Sequence, residues 1–295
     1  MNTNPTVAVI GVGRMGSAMA ATIGRVGFNM ILWNRDASKA KRVGQAVGAP
    51  VAASAAEAAS KADVVITSLA DDAAVKSVYV GTDGIVEGIN HGAVVLETST
   101  VDPGTVREVG QAIDEVGASF LDCPVSGDVS MVEAGTLTIM VGGDPDLMER
   151  VRPVLDALAS RIIHVGERGA GAATKLAVNG LVHGLNVALS EAVVLAEKAG
   201  VDPATAYEVF ASGAGGAPYV QYKRDAFENP DEAAVAFSIN LVVKDLELIT
   251  GLGERVGAPM RQAAIGLDIV RRAVESGFGE RDLSAVAIFL RGEAG

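Results

Sequence analysis

Residues 7–20, VAVIGVGRMGSAMA, place three glycines directly after a β-branched run and at the start of a helical pattern. This is the G-x-G-x-x-G spacing of a dinucleotide-binding turn, in the strand–turn–helix context that the motif requires. Gly11 permits the tight turn, Gly13 lets a pyrophosphate approach the backbone, and Gly16 allows the helix to pack closely on the strand. The helix N-terminus then faces the phosphates. The predicted cofactor-binding loop consists of Gly11, Val12, Gly13, Arg14, Met15 and Gly16.

The rest of the first half repeats this alternation of short apolar strands and Ala-rich helical segments. Continuous apolar runs are typical of strands that are buried on both faces of a parallel sheet. The sequence therefore predicts an α/β fold, with a Rossmann doubly wound sheet in residues 1–165 and an all-α C-terminal domain in residues 166–295. The predicted strands are 6–10, 30–33, 63–69, 93–97, 118–122, 137–141 and 161–165.

After residue 165 the apolar periodicity is helical to the end of the chain. The first predicted helix would be about 45 Å long at 1.5 Å per residue, which exceeds what a domain of this size needs. We expect this helix to run between the domains or to pack against another subunit. The predicted helices are 171–199, 203–212, 217–227, 233–256, 259–275 and 282–291.

Composition and charge narrow the classes of function. The 295 residues carry a formal charge of −12, whereas nucleic acids and anionic membranes favour basic surfaces. A single cysteine, Cys123, excludes an intramolecular disulfide and fits a reducing compartment. The N-terminus has no basic n-region, and no uninterrupted apolar run reaches the roughly 20 residues of a membrane span. We expect a cytoplasmic protein that binds a small molecule rather than nucleic acid or a membrane.

The end of the second predicted strand bears on the choice of cofactor. Proteins that use NAD usually place an acidic residue here to bond the ribose hydroxyls, whereas NADP users provide a cation for the 2′-phosphate. In ILWNRD, residues 31–36, Asn34 takes the place of the acid and Arg35 follows it. This pattern favours NADP(H), with NAD possible. The alternative interpretation makes Asp36 the ribose acid and leaves Arg35 merely exposed.

Two further loops follow predicted strands, at the edge of a doubly wound sheet where ligands bind. In DCPVSGD, residues 122–128, Ser126 offers a hydroxyl and Gly127 a free backbone N–H, and such a turn can hold a carboxylate. Thr100 brings a hydroxyl to the loop ETSTVDP, residues 97–103. The competing interpretation of the first loop is a polar surface turn, and that of the second loop is a loop cap.

A narrow polar stripe marks the first predicted helix of the second half. The side chains of the stripe project within an arc of about 80° around the helix axis, and all the remaining residues from 175 to 190 are Gly, Ala, Val or Leu. Because a solvated face would be wider and richer in charge, we expect something to lie against this stripe. His183 is interpreted either as a wall of that site or as a satisfied interior histidine. The stripe consists of Lys175, Asn179, His183, Asn186 and Ser190.

The segment FSINLVVKDLELI, residues 237–249, is predicted to be helical. Phe237 and Asp245 are eight residues apart and would share one face, and Lys244 beside Asp245 is consistent with a structural salt bridge. Metal chemistry has little support, since the three histidines lie in unrelated contexts and no HxxxH or CxxC is present. A serine hydrolase is disfavoured because GxSxG is absent.

Four ordered motifs resemble the β-hydroxyacid dehydrogenases, the group of 3-hydroxyisobutyrate dehydrogenases and semialdehyde reductases, nearly end to end. They are GVGRMGSAMA with WNRD, DCPVSGD with EAGTLTIMVGG, GAGAATKLAVN, and KDLEL. The resemblance implies that Lys175 is the catalytic general acid/base and that Asn179 holds substrate and lysine together. It also implies a homodimer or homotetramer built through the helical domain. Implied cofactor contacts besides the glycine loop are Asn34, Arg35, Leu69, Ala70, Thr100 and Lys244, and implied substrate contacts are Ser126, Gly127, Asp128, Asn179, Phe237 and Asp245.

The implied reaction is NADP(H)-dependent hydride transfer between a small 3-hydroxy acid and its aldehyde or keto acid. The substrate loop departs from the family pattern, because Asp128 and Met131 stand where relatives commonly have glycine. An acid beside a carboxylate site disfavours an anionic substrate unless Asp128 points outward. A smaller departure is Ala70, where many relatives have proline.

Two alternative functions remain open. An imine reductase would act on C=N bonds with NADPH, although that group usually carries Asp or Tyr where Lys175 stands. A non-catalytic nucleotide-binding scaffold is the second alternative, although degenerate relatives tend to lose this lysine.

Overall fold

The computed structural model of the chain describes residues 5–293, which fold as two compact units that divide between Lys175 and Leu176. The first unit contains a single eight-stranded sheet with the strand order β2-β1-β3-β4-β5-β7-β6, and β8 pairs with β7. The strands are β1 Thr6–Ile10, β2 Asn29–Trp33, β3 Val64–Thr67, β4 Val94–Glu97, β5 Ser119–Asp122, β6 Val125–Ser126, β7 Leu137–Gly142 and β8 Ala159–Gly166.

The sheet is covered on both faces, as the continuous apolar strands predict. Successive residues of β1 point to opposite sides, so Val9 joins one hydrophobic core and Ile10 the other. Every residue of β3 and of β4 is buried. The predicted doubly wound α/β architecture is therefore confirmed. Helices of this unit are α1 Arg14–Val26, α2 Ala37–Val47, α3 Ala55–Ser60, α4 Asp72–Val80, α5 Ile85–Gly88, α6 Pro103–Glu115, α7 Val129–Ala134, α8 Pro145–Arg150 and α9 Arg152–Leu158.

The sheet is not parallel throughout. Strands β1 to β5 pair in parallel, but β7 runs antiparallel to β5 and to the two-residue strand β6. The chain between β6 and β7 contains only the six-residue helix α7, and an antiparallel partner needs no long crossover. An apolar run carries no information about strand direction, so the sequence did not reveal this reversal.

The second unit is helical, as predicted, and it begins within the long helix α10. By length and composition α10 could cross a membrane, a test that core helices of soluble proteins also pass, and half of its apolar window is buried in the protein. The helices are α10 Ala170–Lys198, α11 Pro203–Ser212, α12 Pro218–Tyr222, α13 Arg224–Glu228, α14 Ile239–Val256, α15 Arg261–Ala273 and α16 Val286–Glu293, with a π-helical turn at Val274–Phe278 and a 3₁₀ turn at Leu283–Ala285.

The predicted helix 233–256 was too long at its N-terminal end. Helix α14 begins at Ile239, and the preceding segment is held in a non-helical form by Asp282. The Asp282 carboxylate accepts the backbone N–H groups of Ala236 and Phe237 at 2.9 and 3.3 Å, and it also binds Lys223 Nζ at 2.8 Å. This buried ion pair is a tertiary contact that helical periodicity cannot show.

Candidate active site

The glycine loop has the geometry that its motif predicts. Gly11 has φ +92°, and a Cβ at this position would lie 2.3 Å from the carbonyl oxygen of Ser68. A Cβ at Gly16 would lie 1.9 Å from the carbonyl oxygen of Gly11, so α1 can approach the loop this closely only with glycine here. Gly13 precedes α1, faces open space and provides no side chain to cap the helix. The first N–H groups of α1 therefore suit the phosphates of a dinucleotide.

The three residues after β2 have different tasks. Asn34 Oδ1 accepts the backbone N–H of Val12 at 3.1 Å, which ties the end of β2 to the glycine loop. Asp36 caps α2, since its carboxylate accepts the N–H groups of Ser38 and Lys39 at 2.9 and 3.2 Å. The Ser38 hydroxyl, which donates to Asp36 Oδ1 at 2.6 Å, and then the N–H of Lys39 hold the pKa of Asp36 below its usual value. Arg35 is exposed and makes no hydrogen bond or ion pair with residues 5–293.

A buried acid that sequence reasoning missed joins the ends of β3 and β4. Glu97 Oε1 accepts the backbone N–H of Ser99 at 2.6 Å, and its Oε2 accepts the hydroxyl of Thr67 at 2.8 Å. The Ser99 hydroxyl in turn accepts the backbone N–H of Leu69 at 2.8 Å. Burial raises the pKa of Glu97, although these hydrogen bonds act in the opposite direction. Glu97 therefore organises the loops that carry the predicted cofactor contacts Leu69, Ala70 and Thr100.

The substrate loop is built around Gly127 and the cap of α7. Gly127 has φ +134°, and a Cβ there would lie 2.7 Å from Leu137 Cδ2 and 2.9 Å from Met131 Sδ. The Asp128 carboxylate accepts the backbone N–H of Met131 at 3.1 Å and the hydroxyl of Ser130 at 2.6 Å. Asp128 thus directs its charge to its own helix.

The neighbouring Ser126 is half-buried, and its hydroxyl has no hydrogen-bond partner within residues 5–293. A hydroxyl in this state can donate to a ligand without breaking a bond inside the protein. Cys123 is a packed residue with a fully buried thiol. Burial, followed by the charges of Asp122 and Glu97, raises the pKa of this thiol well above the usual value.

A second missed acid anchors the start of α10. The Asp122 carboxylate accepts the N–H groups of Gly169 and Ala172, each at 2.9 Å. A Cβ at Gly171 would lie 2.7 Å from the carbonyl oxygen of Met140, so glycine is needed for this approach. Burial raises the pKa of Asp122, and the backbone donors partly oppose that effect. The motif GAGAATK therefore fixes the helical turn that presents the half-buried Lys175.

Within the second unit, the polar stripe of α10 is buried and hydrogen-bonded. Asn186 accepts the hydroxyl of Tyr219 at 2.7 Å and donates to the carbonyl of Leu283 at 3.0 Å. Ser190 donates to the carbonyl of Asn186 at 2.8 Å. Asn179 donates through Nδ2 to Asp245 Oδ2 at 2.6 Å. The C-terminal half of the stripe thus has partners inside this unit, and its role there is structural.

Asp245 is the fully buried centre of a charged cluster at α14. Its Oδ1 lies 3.0 Å from Lys244 Nζ, and its Oδ2 lies 3.3 Å from His183 Nε2. Burial alone would raise the pKa of Asp245, but the hydrogen bond and charge of His183 and the charge of Lys244 together outweigh it, so the pKa lies below the usual value. Asp245 is therefore an ionised hydrogen-bond acceptor at neutral pH.

The sequence-based placement of Phe237 on the same helix as Asp245 was wrong. Phe237 precedes α14, in the segment held by Asp282. Its ring centroid nevertheless lies 5.7 Å from that of His183. Phe237 and Asp245, two predicted substrate contacts, therefore both lie against His183. This shared contact, and not a common helix face, brings them together.

Comparison with known proteins covers nearly the whole chain. The family model for the NAD-binding domain of 6-phosphogluconate dehydrogenase matches residues 6–166, and the model for the NAD-binding region of NADP-dependent 3-hydroxyisobutyrate dehydrogenase matches residues 169–290. The chain is 33% identical to 2-(hydroxymethyl)glutarate dehydrogenase of Eubacterium barkeri, over 97% of this chain and 95% of that protein. It is 34% identical to glyoxylate/succinic semialdehyde reductase 1 of Arabidopsis thaliana, over 95% and 96% of the two chains.

A solved structure shows the same likeness in three dimensions. The 3-hydroxyisobutyrate dehydrogenase of Mycobacterium tuberculosis, determined with L-serine, superposes with a TM-score of 0.86 at 32% identity, covering 98% of this chain and 99% of that one. Both sequence and fold therefore point to the same group of proteins.

Proposed function

The chain belongs to the β-hydroxyacid dehydrogenase family of NAD(P)-dependent enzymes, and from that premise we propose that it interconverts a small 3-hydroxy acid and its aldehyde or keto acid with NADP(H). The observation that carries the proposal is Lys175. This lysine follows a helix start that Asp122 and Gly171 fix. It is the first residue of the polar stripe of α10, one turn before Asn179.

The preference for NADP(H) is supported by the end of β2. Oδ1 of the Asp36 carboxylate accepts the bonds from Ser38 and Lys39 that cap α2, which turns this side chain toward its own helix. Arg35 is exposed and unpaired within residues 5–293, and a guanidinium is well suited to a 2′-phosphate. We therefore expect Arg35 to contact the phosphate that distinguishes NADP from NAD.

The chemistry needs a proton donor beside the reacting carbonyl. When bound, the reduced cofactor supplies the hydride. In reduction, the Lys175 ammonium protonates the oxygen of the aldehyde or ketone, and in oxidation the neutral amine accepts the proton of the hydroxyl. Ser126 donates its hydroxyl hydrogen, and Gly127 its backbone N–H, to the substrate carboxylate. The Asp128 carboxylate caps α7 through Ser130 and Met131, and this orientation toward its own helix is the one that an anionic substrate at this loop requires.

A spectrophotometric substrate panel tests the proposal. We expect the purified protein to oxidise NADPH at 340 nm with small aldehyde acids, and to reduce NADP⁺ with the corresponding 3-hydroxy acids. Cyclic imines should give no turnover, and NADH should give a lower kcat/KM than NADPH. Turnover with imines alone would establish an imine reductase instead, and no turnover with any class would favour a non-catalytic scaffold.

We also propose that the helical unit forms a homo-oligomer. Leu181 on α10 and Ile265 on α15 are 67% and 64% exposed, and they border a groove of about 600 Å³ on this unit. Large apolar side chains at the rim of such a groove are typical of a subunit contact. The proposed occupant of this groove is a second copy of the chain, in keeping with the homo-oligomer that the family resemblance implies.

Sedimentation velocity tests the assembly. The unmodified protein should sediment as a dimer or tetramer, and Leu181→Glu should shift it toward the monomer because the glutamate would have to be buried without a partner. Glu substitution at Val26, which is exposed on α1, is the matched control and should leave the assembly unchanged. A monomeric wild-type protein, or an unaffected Leu181→Glu assembly, would contradict the proposal.

A further inference from the structure

His183 is a buried residue to which neither the sequence nor the proposed chemistry assigns a task. It follows Asn179 by one turn of α10 and is 4% exposed. Its Nε2 lies 3.3 Å from Asp245 Oδ2, the oxygen that also accepts the Asn179 amide at 2.6 Å. Its ring packs against that of Phe237 at 5.7 Å. His183 therefore contacts two predicted site residues and shares an acceptor atom with a third.

The protonation of His183 follows from its neighbours. Asp245 is ionised and can only accept, so the ring nitrogen that faces it must carry a hydrogen. The other nitrogen, Nδ1, is buried and has no hydrogen-bond partner within residues 5–293. The ring faces the Asp245 carboxylate, whose far oxygen Oδ1 lies 3.0 Å from Lys244 Nζ. The ring thus donates through Nε2 to a single carboxylate oxygen.

A purely packed side chain would not explain this arrangement. Leaving a buried polar atom without a partner typically costs about 1–3 kcal/mol, and an apolar residue of similar size would avoid that cost. The group of His183 that has a hydrogen-bond partner is then its Nε2–H, and this hydrogen bond restrains Asp245 Oδ2. That restraint passes to Asn179, because an acceptor-only carboxylate requires the asparagine to turn its NH₂ group toward Asp245 and its carbonyl oxygen away.

We propose that His183 is a positioning residue that acts through Asp245. Its Nε2–H holds the carboxylate, the carboxylate holds the NH₂ group of Asn179, and the Asn179 carbonyl oxygen is left as an acceptor for the substrate hydroxyl. The Phe237 ring packs against the same side chain. The substrate part of this inference rests on the proposed hydroxyacid chemistry, whereas the Nε2–H bond to Asp245 does not.

The hydrogen bond can be tested without any substrate. The chain has three histidines, so ¹⁵N-labelled protein gives three sets of imidazole signals, and His183→Gln identifies the set that belongs to His183. We expect Nε2 of His183 to carry a proton, and we expect that signal to shift in Asp245→Asn. A His183 ring protonated at Nδ1 alone would overturn the inference, and this result would be independent of whether the protein turns over a hydroxy acid.

The positioning role is tested by a double-mutant cycle. Loss of a hydrogen bond to a charged group should lower kcat by roughly 10-fold in His183→Leu, with the KM for NADPH nearly unchanged. His183→Gln keeps an N–H at a similar reach and should restore kcat to within about threefold of wild type. In the Asp245→Asn protein, His183→Leu should lower kcat by less than a further factor of about two, because the carboxylate on which His183 acts is already replaced.

Two results would overturn the positioning role. One is that His183→Leu lowers kcat by the same factor in the Asp245→Asn protein as in the wild-type protein. The other is a His183→Gln protein that folds with a native melting temperature but is as slow as His183→Leu. A wild-type protein that lacks hydroxyacid turnover would instead contradict the proposed function, and the imidazole signals would still decide whether His183 donates to Asp245.

Discussion

Substitution of Lys175 by Met is expected to lower kcat by about 10²–10⁴-fold, the usual contribution of a positioned general acid or base. Met has a similar unbranched stem and a high helix propensity, so α10 should persist. NADPH should still bind, because the glycine loop and the end of β2 remain unchanged. Steady-state kinetics in both directions, together with fluorescence titration of NADPH, measure the two effects separately.

Two further substitutions show whether charge or proton transfer is lost. Lys175→Arg keeps the positive charge, but a guanidinium stays protonated in proteins and cannot accept the hydroxyl proton. It should therefore be as slow as Lys175→Met in the oxidation direction. Lys198→Met removes an exposed lysine from the last turn of the same helix and should leave kcat unchanged. Turnover close to wild type in Lys175→Met would eliminate the catalytic assignment.

The sequence predicted the parts of the fold that depend on local pattern. The glycine loop combines φ requirements with close contacts that only glycine permits, and both are visible as spacing in Gly11 and Gly16. Strands buried on both faces are visible as continuous apolar runs. The reversal of β7 was not visible, because hydrophobicity does not specify strand direction. The two-residue strand β6 is too short to produce a pattern at all.

Three of the residues that were missed or misplaced, Glu97, Asp122 and Phe237, depend on partners far along the chain. Glu97 and Asp122 each end an apolar strand, and this position is the one signal that could have drawn attention to them. Their distant partners, Thr67 for Glu97 and the N–H groups of Gly169 and Ala172 for Asp122, lie 30 to 50 residues away along the chain. Phe237 was placed on a helix because its distant partner Asp282 is not apparent from periodicity. Asp128 was interpreted by its charge, whereas its position three residues before Met131 is that of an N-cap.

The polar stripe of α10 shows both the strength and the limit of spacing. Helical geometry correctly placed Asn179, His183, Asn186 and Ser190 on one buried side. Spacing could not say which of them meets a carboxylate, because Asp245 lies 62 residues after His183. Only the folded structure separates the part of the stripe that reaches Asp245 from the part that is tied to Tyr219 and Leu283.

Arg35→Ala is expected to raise the KM for NADPH by roughly 10- to 100-fold, the effect of losing one or more hydrogen bonds to a charged phosphate. The KM for NADH should change by less than about threefold, because NADH has no 2′-phosphate for Arg35 to bind. Initial-rate kinetics with both cofactors at saturating substrate measure the ratio. Arg42→Ala, which removes an exposed arginine of α2 that contacts Ser38, controls for the general positive potential and should alter both values little.

An equal effect of Arg35→Ala on both cofactors would show that Arg35 does not bind the 2′-phosphate. The competing interpretation, in which Asp36 bonds the ribose, then has its own test in Asp36→Asn. Asparagine caps a helix about as well as aspartate, so α2 should remain intact while the carboxylate is lost. A selective increase in the KM for NADH would assign Asp36 to the ribose. An unchanged KM for NADH would mean that Asp36 serves only as the cap of α2, through its bonds to Ser38 and Lys39. Among residues 34–36, Arg35 would then be the one charged residue available to bind a phosphate.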